Sequence, residues 1–127
     1  MEEKQKIRVF TDLDAWKEGH QLVLMIYKAT KIFPKDELFG LTSQMRRAAV
    51  SITSNIAEGF SRNSYLEKSH FYSISQGSNT ELQNQLIIAK DIGYIDAENF
   101  QKIAEQSLKV HKIINGLIKK SKSFHNS

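Results

Sequence analysis

The sequence predicts an all-α fold, a single four-helix bundle spanning residues 1–127. Three observations predict it: four segments carry apolar residues at helical spacing, turn chemistry separates them, and one proline and six glycines leave little to interrupt long helices. A chain of this length buries roughly two-thirds of the surface its unfolded form exposes, enough for one core. The two ends, about 1–10 and 121–127, are expected to be flexible.

The first helix is predicted over about Asp14 to Ile32, capped by Asp12 or Asp14, with Leu13, Trp16, Val23, Ile26, Tyr27 and Thr30 on its apolar arc. Phe33-Pro34 ends it, because proline disfavours helical geometry in the residue before it. The second helix is predicted over Thr42 to Phe60 and stops at Gly59 or soon after. Ser64-Tyr65-Leu66-Glu67 opens the third with a capping-box pattern. Phe71, Ile74, Ser78, Leu82, Leu86, Ala89 and Ile92 then align, and Gly93 closes that helix. The fourth starts near Asp96, buries Phe100, Ile103, Ala104, Ser107, Leu108, Ile114 and Ile118, and frays into a lysine-rich tail. The short connections make sequential helices antiparallel neighbours, an up-down-up-down bundle; three helices with a detached fourth is the alternative.

Composition narrows the function classes. Without cysteine, disulfide staples, thiolate metal sites and a cysteine nucleophile are excluded. Met1 to Phe10 lacks the continuous apolar stretch of a secretory signal, and no later run approaches a membrane span, so a cytoplasmic protein without membrane contact is expected. The net charge of +4 is uneven: Lys109 to Ser127 holds Lys109, Lys112, Lys119, Lys120 and Lys122 with no acid, leaving thirteen bases against fourteen acids elsewhere. Such a cluster attracts phosphate through counterion release, or it complements the helix dipole and keeps a terminus soluble.

The second helix carries the most informative pattern. With Arg47 as zero on a helical wheel, Gln44, Arg47, Ser51, Asn55, Glu58 and Arg62 fall within about 0° to 80° and form one polar ladder. Leu41, Met45, Ala48, Ala49, Ile52, Ile56 and Phe60 occupy the opposing core arc. Val50, Thr53 and Ala57 lie beyond both, so the helix carries little charge and is expected to be shielded on more than one side, the second partner being another subunit. An enclosed ladder must be paired, since stranding one member of a buried ion pair costs about 3 to 5 kcal/mol. A solvated face with helix-spaced hydrogen bonds is the other account.

Phe33-Pro34, Phe39-Gly40-Leu41, Gln44 to Ile52 and Ser54-Asn55-Ile56-Ala57-Glu58-Gly59 together resemble the bacterial four-helix bundle proteins of the 23S rRNA-intervening-sequence type, also called S23 ribosomal proteins. Trp16, Tyr27, Arg62, Gly77-Ser78 and Glu81 extend the resemblance over nearly the whole chain, while Gln76, where the family usually has alanine, and Gly19-His20 depart from it. The resemblance implies a left-handed bundle assembling as a ring, commonly a homopentamer, encoded in some bacteria within insertions of large-subunit ribosomal RNA genes. Related bundles that assist retroelement reverse transcriptases are basic and bind nucleic acid. No biochemical activity is implied. Arg47, Asn55, Glu58 and Gly59 match the family's signature positions and are expected, with Gln44, Ser51 and Arg62, to act in structure and assembly.

Catalysis finds no support. Glu67-Lys68-Ser69-His70 is a single Glu-x-x-His match, whereas di-iron bundles need two copies and two further inward glutamates. His20 and His111 sit on apolar arcs, where a hydrogen-bonded core histidine is commoner than a ligand pair. No nucleophile elbow or phosphate-cradling loop occurs, and Gly77-Ser78 is expected to mark a close helix contact. The apolar arcs are claimed by the core, which argues against an amphipathic membrane helix. Neither cofactor, metal nor small-molecule substrate is identified. The expected function is a non-enzymatic, homo-oligomeric scaffold or accessory protein. The alternative is RNA or DNA binding through Arg46, Arg62, Lys109, Lys112, Lys119, Lys120 and Lys122, with avidity supplied by the oligomer.

Overall fold

The computed structural model describes residues 6–125. Among them are four α-helices and no strand: α1 (Asp14–Thr30), α2 (Leu41–Phe60), α3 (Tyr65–Asp91) and α4 (Ala97–His125), with short 3-10 turns at Phe10–Asp12 and Lys35–Glu37. Each helix packs on its neighbours in sequence, and α1 also packs on α4, so the four enclose one core. Pairing numbers descend along each seam. Between α2 and α3, Ser51 meets Ser78, Ile52 meets Ser75 and Phe60 meets Lys68. Between α3 and α4, Gln76 meets His111, Asn79 meets Ser107 and Lys90 meets Phe100.

The helix ends follow local chemistry. The Ser64 hydroxyl accepts the Glu67 amide at 3.2 Å and opens α3. Gly93, at φ 86°, closes it: its amide donates to Lys90 and the Tyr94 amide reaches back to Ala89 at 2.8 Å, the paired bonds of a Schellman end. Asp96 caps α4 by accepting the Asn99 amide. The α1 cap differs from expectation. Asp12 accepts the amides of Arg8 and Val9 and shapes the preceding 3-10 turn, while Leu13 stands at the N-cap without a side-chain bond. α1 stops at Thr30, two residues early, where the Thr30 hydroxyl bonds back to the Ile26 and Tyr27 carbonyls.

Three buried faces match expectation in part, through Val23, Ile26 and Thr30 on α1, Leu82, Leu86 and Ala89 on α3, and Ile103, Ser107 and Ile114 on α4, and differ in the rest. On α1 the core face runs through Ala15, Gly19, Leu22, Val23, Ile26 and Thr30, leaving Tyr27 exposed. Gly19 sets that line, because a Cβ there would stand 3.1 Å from the Thr53 methyl of α2. On α3 the buried residues include Ser69, Tyr72, Ser75, Asn79 and Gln85, whereas Ile74, Ile88 and Ile92 face outward. On α4, Val110 is buried and Leu108 is 56% exposed. α4 also stays helical through the lysine-rich stretch to His125 instead of fraying, because Ser121 is buried and the Phe124 ring packs on Tyr65 at 5.0 Å.

α2 ends at Phe60, just past Gly59 as expected, while Gly77 has another role than expected. Gly59 lies inside α2, buried: a Cβ there would stand 2.7 Å from the Tyr72 ring. Gly77 marks no close contact among the described residues, since nothing lies within 4 Å of its Cβ position, and it is exposed.

Candidate assembly surface on the second helix

α2 is one continuous helix from Leu41 to Phe60, and Met45, Ala48, Ala49, Ile52 and Ile56 fill the core from it. Thr53 adds a second buried side against Gly19 of α1. The rest of its circumference faces outward in the single chain: Gln44, Arg47, Val50, Ser54 and Glu58 are exposed and Ala57 is half-buried. Shielding of α2 on that further side is therefore absent within one chain.

The polar ladder runs along the outer edge of the α2–α3 seam. At its centre Ser51 and Asn55 are half-buried: the two serine hydroxyls of Ser51 and Ser78 share a 2.8 Å bond, and Asn55 Nδ2 donates to the Ser51 carbonyl at 2.8 Å. At its lower end Arg62 pairs with Glu58 at 2.7 Å and lies over the Phe71 ring at 4.5 Å. The pair is exposed, so it contributes at most about 1 kcal/mol. At the upper end Gln44 and Arg47 open onto the same shallow depression as Glu81, and Arg47 has no ion-pair or hydrogen-bond partner among the described residues. Gly59 serves the core as described, with Tyr72 against it.

Beside Arg47 lies an open apolar groove of about 740 Å³ between α1, the α1–α2 connection and α2. Its walls are Tyr27, Leu38, Phe39 and Val50, with Thr42 and Ser54 between them. Phe39 is 93% exposed and Leu38 is more than half exposed. Phe39-Gly40 reads in sequence only as a connection; the signal that could have found the groove is two adjacent large apolar residues in a segment with no helical face to bury them. On the groove's edge Arg46 is held within the chain, donating from Nε to the Thr30 hydroxyl at 2.9 Å and covering the Tyr27 ring at 4.7 Å.

The basic candidates do not converge on one point. Lys109 pairs with Glu18 of α1 at 3.2 Å, and Gln106 donates to the same carboxylate, which with Lys109 holds Glu18 below the ordinary carboxylate range. Lys112, Lys119 and Lys122 are exposed on α4, and Lys120, also exposed, stands on the side of α4 that meets Phe60, Tyr65 and Lys68. His20 is half-buried and stacks on Trp16 at 4.7 Å, while His111 accepts a hydrogen bond from Gln76 through its backbone carbonyl. Among the described residues no group of three His, Asp or Glu side chains could hold a metal, and no helix is long and apolar enough to cross a membrane.

The sequence matches the family model described as 23S rRNA-intervening sequence protein over residues 11–116. The chain belongs to that family. No curated protein matches it. Among solved structures, a protein of unknown function from the S23 ribosomal protein family of Bacteroides thetaiotaomicron superposes with a TM-score of 0.76 at 20% identity, covering 83% of this chain and 95% of that one. At that identity the likeness concerns the fold. In this intervening-sequence family member, Gln76, where the resemblance leads one to expect alanine, donates to the His111 carbonyl at 3.0 Å and ties α3 to α4.

Proposed function

We propose that this intervening-sequence protein is a non-enzymatic cytoplasmic scaffold or accessory protein that works as a homo-oligomeric ring, a pentamer by its family resemblance. Each subunit is an antiparallel up-down-up-down bundle, a topology supported by the descending pairings along the helix seams, and is left-handed by its family resemblance. The observation that carries oligomerisation is the groove: Phe39, Leu38, Tyr27 and Val50 form a contiguous exposed apolar surface flanked by an unpartnered arginine. A surface of this kind is a burden to a monomer and an asset at an interface. Light scattering of the purified chain tests it. The expected mass is several times 14.6 kDa, falling to the monomer in Phe39→Asp with helicity retained. A wild-type monomer at micromolar concentration refutes it.

Nucleic-acid binding is the second reading, supported by the exposed Lys112, Lys119, Lys120 and Lys122 on a helix end without acids. Repetition around a ring multiplies that patch. Filter binding to structured RNA across a salt series is expected to show affinity that falls steeply with salt. Absence of binding at about 50 mM salt, or indifference to salt, refutes it.

A further inference from the structure

The end of the bundle opposite the α3–α4 turn holds a bowl of about 280 Å³, of whose lining only Lys120 enters the readings above. The close of α2, the first two turns of α3 and the last turns of α4 build it, with Ile7 and Leu13 from the segment ahead of α1. Its apolar lining includes Phe60, Tyr65, Leu117 and Phe124, with the Tyr65 and Phe124 rings 5.0 Å apart.

The polar groups that share this lining are donors. Lys68 is half-buried, and its ammonium donates to the Phe60 carbonyl, caps α2 and lies 5.2 Å from the Phe60 ring. It meets no carboxylate among the described residues, and burial alone lowers its pKa. Tyr72 is 2% exposed, yet its hydroxyl has no hydrogen-bond partner among the described residues. Burial pushes that phenol up to about 12, so it stays protonated and able to donate. Lys120, also on the bowl, has no ion pair among the described residues. Among the described residues no aspartate or glutamate lines the bowl. Lys68 spends one proton on the Phe60 carbonyl and keeps two, and the Tyr72 hydroxyl has no partner among the described residues, so a bowl offering an ammonium and a phenol with no acid among its described lining residues favours an acceptor-rich occupant.

We propose that this bowl binds a small monocarboxylate with a compact apolar body, its carboxylate facing Lys68, Lys120 and the Tyr72 hydroxyl and its body against the aromatic rings. The volume lies just below the range of about 300 to 1,000 Å³ typical of ligand pockets, which suits a single-ring or short-chain acid and excludes a nucleotide.

Amide and aromatic NMR shifts of the labelled full chain, titrated with sodium benzoate, test the proposal. Saturable shifts are expected at Lys68, Tyr72 and Ser121. Affinity should fall about tenfold in Lys68→Met and severalfold in Tyr72→Phe, and stay unchanged in Lys119→Met, which alters the outer side of α4. Benzamide, the neutral isostere, should bind about tenfold more weakly than benzoate. Unsaturable shifts, benzamide matching benzoate, inorganic phosphate matching benzoate, or equal benzoate affinity in Lys68→Met each overturn it. Should Lys68→Met lose its fold by circular dichroism, Tyr72→Phe and Lys120→Met decide: wild-type affinity in both overturns the assignment. The outcome is independent of oligomeric mass, so failure here leaves the ring proposal standing and the reverse.

Discussion

Gly59→Ala adds one methyl group where the bundle has no room for it. The new Cβ would stand 2.7 Å from Cε1 and 3.0 Å from Cδ1 of Tyr72, and 3.0 Å from Cβ of Phe71. None of these atoms moves cheaply. Phe71 Cβ is fixed by the α3 backbone, and Tyr72 is almost wholly enclosed, so relief requires α2 and α3 to part. Overpacking of this kind costs about 1 to 3 kcal/mol, and the rigid neighbours place Gly59 in the upper half of that range. Against it, alanine in a helix interior gains about 1 kcal/mol over glycine. The net loss is about 1 to 2 kcal/mol, or a fall of roughly 0.5 to 1 M in the urea midpoint at unchanged slope. Urea titration followed by circular dichroism, at several fixed protein concentrations to separate folding from association, measures it. A variant as stable as wild type refutes the claim that Gly59 is kept for close approach to Tyr72.

Gly77→Ala should do the opposite to the isolated fold, raising stability by about 0.5 to 1 kcal/mol in urea titration, because its Cβ meets nothing and only the helix-propensity gain remains. Asn79→Asp should destabilise by about 2 to 4 kcal/mol at neutral pH. The new carboxylate loses the donor that Asn79 Nδ2 supplies to the Ser107 carbonyl and is buried without a cation; protonation should restore part of the loss as pH falls. Glu18, whose folded pKa is depressed by Gln106 and Lys109, stabilises the bundle above the ordinary carboxylate pKa of 4.5, and that contribution disappears as pH falls through the depressed value. Denaturation of wild type and Glu18→Gln should therefore converge at acid pH and diverge near neutrality.

The boundaries of α3 were legible because their signals are local: the Ser64 hydroxyl and Gly93 act on backbone within a few residues, whatever the rest of the chain does, whereas α1 ends at Thr30 ahead of the Phe33-Pro34 signal. The inward face of α3 was legible at Leu82, Leu86 and Ala89 and illegible over the rest for a physical reason. Hydrophobic periodicity assumes that the core takes the large apolar residues, but α3 buries Ser75, Asn79 and Gln85 while Ile74 and Ile88 face outward. Small polar residues can line a core when neighbouring backbone satisfies them: the Ser75 hydroxyl donates to the Ile52 carbonyl at 2.7 Å, and Asn79 closes a two-bond ring with Ser107. Those partners come from other helices and leave no trace in the spacing. The α2 ladder was legible in position because it needs only the wheel. Its exposure was not, since Val50 and Ala57 read as apolar whether they meet another helix of this chain or nothing.

Ring closure demands two different complementary faces on each subunit, whereas a two-fold dimer needs one face that matches itself. The chain exposes two separate sets of apolar residues: those of the α2 groove around Phe39, and an outward stripe of Ile74 and Ile88 on α3 with Ile92 at its end, interrupted by Glu81. If the groove of one subunit receives the α3 stripe of the next, Phe39→Asp and Ile88→Asp should each abolish the ring, because each removes one side of every junction. An equimolar mixture of the two variants retains a single sound junction, the groove of one against the stripe of the other. It should therefore rise to the mass of a dimer and no further, as read by sedimentation equilibrium. A mixture that stays monomeric breaks the pairing of these two faces. An Ile88→Asp protein that assembles like wild type shows instead that the groove meets something other than the stripe.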